Sequence, residues 1–381
     1  MYDFLIIGQG IAGSVLAFQL LKAGKKVFII DKAAPGLFIK ATQKITDSEK
    51  NNLLLKYSDY LYPKLKKLLG DDFRPKVIGG LITPVTGKRF AKTWLADTLL
   101  PYSAQFYNSL EKEINASFYK PVPIVRIFAD NRQANDWDVR LADPLYKDLV
   151  DSDYSFNNEQ IHYPHGYTVF KQGAVIDGSK MLYAFHKYFK EKKCIRNSDV
   201  AAEQIEINEN HIEAAGIHAR AIIFCEGWHA VRNPLFKWLP FMPAKGELLI
   251  IKSPGLNLKE VINRGIFIRP LSNDLYLTGS TYSWDDISLT PTKKARDEIS
   301  SKLKTLIRTD FNIVEQLAGI RPTVKGRRPF VGQHPGHENV YIFNGLGTKG
   351  LLLSPYFAQQ LCQHLLESKA LNSEIDIKRF S

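Results

Sequence analysis

The feature that most constrains this chain is a glycine turn set between two apolar runs within its first 31 residues. Tyr2–Ile7 (YDFLII) stops at glycine, as a buried parallel strand does. From Ile11 to Ala23 the apolar residues recur at helical spacing, and Gly24 stands where a C-terminal cap belongs. Residues 27–30 (VFII) form a second buried strand that ends at Asp31. Between strand and helix, Gly8-Gln9-Gly10-Ile11-Ala12-Gly13 matches GxGxxG. Gly8 permits the tight turn, Gly10 lets the backbone approach a pyrophosphate, and Gly13 lets the helix pack on the strand. The helix N-terminus adds unpaired N–H groups and a positive dipole end. Asp31, 18 residues past Gly13, is placed to accept hydrogen bonds from a ribose. The pattern predicts a dinucleotide-binding βαβ unit. A glycine-rich turn in an unrelated α/β protein is the alternative, and the motif does not choose between FAD and NAD.

With 381 residues the chain is too long for one hydrophobic core, so two interleaved lobes are expected. The composition, 45% hydrophobic, is that of a folded protein. The net charge of +12 favours anionic partners, but the basic residues are scattered rather than gathered in a tail. Lys64, Lys66 and Lys67 alternate with leucines as on a solvated helix face, which fits a basic enzyme better than a nucleic-acid track. Cys194, Cys225 and Cys362 form no CxxC pair, which argues against a disulfide framework and a zinc site. His334 and His337 are separated by a proline and a glycine, as in a turn, and no third ligand is in view, so no metal site is expected. The first strand begins at once, and no apolar run approaches the roughly 20 residues that span a bilayer. A cytoplasmic location is the expectation.

Further along, residues 37–76 are polar, basic and helical in pattern. Residues 179–192 read as a helix and 221–225 (AIIFC) as a buried strand closed by Glu226-Gly227. Residues 241–281 alternate as sheet, and 292–307 are helical again. The end repeats the opening: a strand at 340–343, the turn Gly345-Leu-Gly347-Thr348-Lys349-Gly350, then a helix from Ser354, with Ser354 as cap and Pro355 in the first turn. Two glycine-rich strand-to-helix turns at opposite ends of one chain suit a flavin that spans the molecule. Its pyrophosphate would lie on the first helix and its isoalloxazine near the last. The last turn's N–H groups, with Lys349 if it points inward, would stabilise the negative charge of a reduced flavin. A solvent-facing Lys349 is the alternative.

GQGIAG with Asp31, AIIFCEGW, PAKGELLII, IFIRPLSNDLYLTGST, AGIRPTVKGRRPFVGQHP and GLGTKGLLLSPYFA occur in an order that resembles the D-amino-acid oxidase superfamily. Within it the chain looks most like the glycine oxidase and sarcosine oxidase branch. The resemblance implies an α/β (α+β overall) chain, with a Rossmann-like GR2-type FAD-binding domain interrupted by an antiparallel-sheet substrate domain. The FAD-binding domain would take residues 1–90, 170–235 and 325–381, and the substrate domain 91–169 and 236–324. It also implies oxidation of a C–N bond by hydride transfer to flavin. Carried over residue by residue, FAD would contact Gly8, Gly10, Ile11, Ala12, Gly13, Asp31 and Lys32. Further contacts fall on Gly80, Leu81, Val200, Gly227 and Trp228, and on Gly345, Gly347, Thr348, Lys349, Gly350 and Leu351. Arg321 in GIRP matches the arginine that pairs with a substrate carboxylate, a task that suits a guanidinium fork. Phe267 falls where glycine oxidases place a tyrosine over the substrate.

Three departures stand out. About forty residues (37–76), read as a surface insertion, separate the second strand from the flavin segment RPKVIGGLITP. No histidine precedes His162 and no cysteine lies between Cys225 and Cys362, so a non-covalent flavin is expected. Residues 273–292 contain no lysine, whereas sarcosine oxidases carry an oxygen-activating lysine there, which leaves dehydrogenase chemistry open. The leading expectation is an FAD-dependent oxidoreductase of a small amino acid or secondary amine. A flavoenzyme acting on a modified tRNA base of the methylaminomethyl-uridine type, and a flavin-bound protein without turnover, are the competing ones.

Overall fold

The computed structural model describes residues 1–32, 77–208, 211–272 and 274–380; the expected insertion at 37–76 lies outside the described residues. Strand β1 (Tyr2–Ile7), helix α1 (Ile11–Lys22) and strand β2 (Val27–Asp31) fall where the sequence put them. Helix α2 (Ala96–Glu113) follows, then β3 (Ile124–Ile127) and β4 (Tyr167–Phe170). Next come helix α3 (Gly178–Glu191), β5 (Ile195–Asn197) and β6 (Ile217–Phe224). A run of strands begins with β7 (Ala244–Lys252), β8 (Val261–Asn263), β9 (Phe267–Ser272) and β10 (Leu275–Gly279). Helix α4 (Lys293–Lys304), β11 (Asn312–Arg321), β12 (Phe330–Gln333), β13 (Val340–Asn344) and helix α5 (Gly350–Glu367) complete the chain.

Two sheets organise the fold. In the first, β5, β2, β1, β6 and β13 run parallel in that spatial order, so strands from both ends of the chain lie side by side. Both faces of this sheet are covered, which is why its strands read as unbroken apolar runs. Phe4, Ile6, Val27 and Ile29 face a layer built from α1, α2, α3 and α5. Leu5, Ile7, Phe28 and Ile30 face Phe236, Leu239 and Ile377 on the other side. Helix α2 comes from the 91–169 stretch, yet buries Leu99, Leu100, Tyr107 and Leu110 in the same core as α1 and α5.

The second sheet has seven strands in the order β11-β7-β10-β9-β8-β3-β4. It is antiparallel except where β8 runs parallel to β3. Helix α4 closes one face through Ile299 and Leu303 against Leu249, Ile251 and Ile268. The alternate residues of β7, among them Gly246 and Leu248, point the other way because strand side chains alternate. That open face looks toward the parallel sheet and floors the cavity described below.

The last helix corrects one expectation. A single tight turn over Gly347–Lys349 leads straight into α5, which begins at Gly350, so Ser354 lies inside the helix rather than capping it. Pro355 therefore has no N–H to give the carbonyl of Leu351, four residues back. The hydroxyl of Tyr107 on α2 donates to that carbonyl instead, at 2.6 Å.

Candidate functional site

A cavity of about 2210 Å³ runs between the two sheets. Every residue expected to contact flavin or substrate lines it except Gly13 and Gly345, which pack behind its wall. That volume exceeds the few hundred to 1,000 Å³ typical of a small-ligand pocket, as a cavity for a dinucleotide plus a substrate should.

At one end stands the N-terminal turn. A Cβ on Gly13 would come 1.9 Å from the carbonyl oxygen of Gly8, so no side chain fits. Gly8 itself has φ +106, and a Cβ there would meet the Cys225 carbonyl at 2.5 Å. Gly10 differs: its φ is −85 and a Cβ would meet nothing within 4 Å. It faces open cavity, where a pyrophosphate would come close. Helix α1 has no side-chain cap, whereas α3 and α4 carry Asp177 and Thr292 as caps. Its first amides are thus left for a ligand. Asp31 is buried at the end of β2 and accepts from the Gln9 amide, so the carboxylate is tied to the turn as well as facing the cavity. Lys32 pairs with Asp199 at 3.1 Å beside Val200.

The C-terminal turn is built against the rest of the site. Asn344, fully buried, donates to the Gly227 carbonyl at 3.0 Å and accepts from the Gly345 amide at 2.8 Å, joining the turns after β6 and β13. The Gly347 amide donates to the carbonyl of Pro322, next to Arg321, at 3.2 Å. Lys349 points inward: its ammonium donates to Thr93 Oγ1 at 2.9 Å and Thr86 Oγ1 at 3.4 Å. Burial, aided by the nearby Arg327 and Arg328 charges, lowers its pKa to about 8. Helix α5, like α1, opens without a side-chain cap.

Arg321, at the end of β11, lies across the cavity floor. A Cβ on Gly246 would fall 1.9 Å from its Nη2, so the glycine makes room for the guanidinium to lie flat on β7. The group donates to the Ser280 hydroxyl at 2.7 Å, the Lys245 carbonyl at 3.1 Å and the Thr281 carbonyl at 3.1 Å. The Tyr282 ring lies 4.6 Å from Cζ. No carboxylate pairs with it among the described residues, and burial pulls its pKa down. Phe267 on β9 faces the same space, its ring 3.5 Å from where a Cβ on Gly79 would stand.

Sequence reasoning missed Asn344, Gly246 and a buried network around Lys245, whose Nζ donates to Asp286 and the Thr290 carbonyl, each at 2.5 Å. Only Gly246 left a signal, a glycine inside an apolar strand, which marks a close approach. Away from the cavity, His211, Glu213 and His218 bring ligand atoms within 4.8 Å of one another across a hairpin, a grouping not visible in sequence order. His334 and His337 form the expected turn, with the His337 amide donating to the His334 carbonyl at 3.3 Å.

The residues present fit a dinucleotide: an uncapped helix start, an open glycine at φ −85, and a buried acid at the neighbouring strand end. Comparison with known proteins agrees. A glycine oxidase of Pseudomonas aeruginosa is 29% identical over 126 residues, 32% of this chain and 35% of that one, so the match spans about a third of that relative's length. The tRNA 5-methylaminomethyl-2-thiouridine biosynthesis bifunctional protein MnmC of Nitrosospira multiformis is 27% identical over 172 residues, 41% of this chain and 27% of that one. The crystal structure of glycine oxidase from Geobacillus kaustophilus superimposes with a TM-score of 0.74 at 16% identity, covering 100% of this chain and 98% of the other. Among the described residues no helix is long and apolar enough to cross a membrane. The family model DAO, FAD dependent oxidoreductase, matches residues 3–364, and the chain belongs to that family of FAD-dependent enzymes.

Proposed function

We propose that the chain oxidises the C–N bond of a small amino acid or secondary amine, with Arg321 holding the substrate carboxylate. The observation that carries this reading is a desolvated guanidinium, laid flat over Gly246, fixed by three oxygen acceptors and facing the cavity without an acidic partner among the described residues. A buried cation left so needs an anion, and a planar fork favours a carboxylate.

FAD, when bound without a covalent link, supplies the two-electron acceptor. Gly8, Gly10, Ile11 and Ala12 hold its pyrophosphate on α1, with Gly13 giving the helix its close approach. Asp31, Lys32 and Val200 serve its adenosine end. Gly80, Leu81, Gly227 and Trp228 line its path, and the 345–351 turn receives its ring. Lys349 places a positive charge at that turn. Arg321 orients the substrate so that its C–H points at the ring, Phe267 packs against it, and the apolar Leu248 and Leu317 keep water out. A neutral amine bound in this way needs no dedicated base. The FAD-binding part would comprise residues 1–90, 170–235 and 325–381 with α2 added, and the substrate part the remainder.

Arg321→Ala should weaken substrate binding by roughly 2–5 kcal/mol, the range for truncating one partner of a buried charge pair. Flavin content should stay unchanged, and Arg321→Lys should recover only part of the loss because an ammonium cannot form the bidentate pair. The measurement is anaerobic flavin reduction against concentration of amino acids and N-methylated amino acids. Unaltered affinity in the alanine variant would mean that the substrate has no carboxylate.

A further inference from the structure

We propose that the cavity floor carries a second substrate subsite at Asn263, which takes an oxygen acceptor on the nitrogen substituent of an N-substituted amino acid. The proposal rests on the reading of Arg321 as the carboxylate anchor. Asn263 pairs in register with Phe267, Phe267 with Gly279, and Gly279 with Leu248. Residues so paired share a face of the sheet, and Asn263, Phe267 and Leu248 all line the cavity.

The orientation of the Asn263 amide is set from the neighbouring strand. Arg126, its register partner on β3, donates from Nη1 to Asn263 Oδ1 at 2.5 Å. Arg126 is itself held by the Gly87 carbonyl at 3.1 Å and lies over the Phe90 ring at 5.3 Å. An arginine only donates, so the carbonyl end of the amide must face it. The Nδ2 end is left with no protein partner among the described residues, beside the cavity. It presents two donors and no acceptor.

The spacing decides what can use them. The Arg321 guanidinium is gripped by Ser280 and Thr281, which follow directly on β10. Strand β8, which carries Asn263, lies two strands away across β9, a separation of roughly 10 Å. The Phe267 ring covers the ground between. Glycine held at Arg321 ends at its amine, too short to cross that separation and reach Nδ2. A secondary amine reaches across the phenyl ring, and an amide, carboxylate or hydroxyl oxygen at the end of its substituent meets the two N–H groups.

Alkoxyacetates, in which an ether oxygen replaces the amine, test this at equilibrium because they bind without being oxidised. Propoxyacetate and (carbamoylmethoxy)acetate are matched in length and differ in the distal acceptor. Each is titrated into the FAD-loaded enzyme and followed by the change in flavin absorbance. The carbamoyl compound should bind roughly tenfold tighter, the difference expected when a well-placed donor gains its acceptor. Asn263→Ala should remove that advantage and leave propoxyacetate unchanged. Asn263→Asp keeps a partner for Arg126 but offers no donor, so it should also abolish the preference and serves if the alanine variant loses its flavin. Equal affinities in the parent enzyme, or a loss shared by both ligands in the variants, overturn the subsite. Arg321→Ala separates the two levels of the argument. It should weaken both ligands alike, and if it alters neither, the carboxylate anchor itself falls.

Discussion

The two glycine turns have the same outline and are built on different principles. The first is closed mainly on itself, since a Cβ on Gly13 would strike the Gly8 carbonyl, and its outside contact is the end of β6 at Cys225. The second is closed by other parts of the molecule, since a Cβ on Gly345 would strike Val324 Cγ1 at 2.9 Å and one on Gly347 would lie 3.3 Å from Thr323 Cγ2. A turn that packs on itself can be read from a dozen residues. A turn that packs on distant segments shows its glycines in sequence but not its reason for them.

Gly13→Ala attacks the contrast at its strongest point. The added methyl meets a backbone oxygen that no rotamer change can move, so the loss should reach at least about 3 kcal/mol, the upper part of the range for overpacking. Thermal melting of the FAD-free protein should reveal it, and flavin should be lost as well. A melting temperature within a degree of the parent would break the claim that the first turn is self-closed. Gly10→Val should do the opposite. Its φ of −85 suits any residue and the space beyond is open, so the FAD-free fold should change by less than about 1 kcal/mol. FAD should nevertheless no longer co-purify. Retention of the cofactor in that variant would move the pyrophosphate away from α1.

The second turn is tested through Lys349. Burial holds its pKa at about 8, below the usual 10.5, so the folded state binds this proton less tightly than the unfolded chain does. The resulting penalty is complete below pH 8 and lifts between pH 8 and 10.5, amounting to about 1–3 kcal/mol. The melting temperature of the FAD-free parent, compared with Lys349→Met at each pH, should therefore rise from pH 7 to pH 10. A constant difference would place the ammonium in solvent and restore the loop-lysine alternative.

What the sequence disclosed follows the same division. Strands β1 and β2, helix α1 and the strand-turn-helix at the end were readable because each is a local pattern of period and punctuation. The glycine turns, Asp31, Phe267 and Arg321 on the cavity wall followed from them and from the family resemblance. Asn344 was not readable, because its value lies in joining Gly227 to Gly345 across 117 residues. Arg126 beside Asn263 was hidden for the same reason, being 137 residues away. Ser354 and Pro355 misled because they carry the usual signs of a helix start. The true start lay at Gly350, the first glycine of the turn with helical geometry, since Gly345 and Gly347 before it have φ +74 and +56.

Pro355 has a consequence for how the molecule opens and closes. Helix α5 cannot complete its own ladder of hydrogen bonds, because the missing donor arrives from Tyr107, 244 residues earlier. The Pro355 carbonyl, in turn, accepts from Gln19 of α1 at 2.9 Å. Helices α1, α2 and α5 are therefore stitched at one point, and none can fray there alone. Amide hydrogens on the early turns of α5 should exchange with solvent in step with those of α1 and α2, as one cooperative unit, although the chain makes these helices far apart in time.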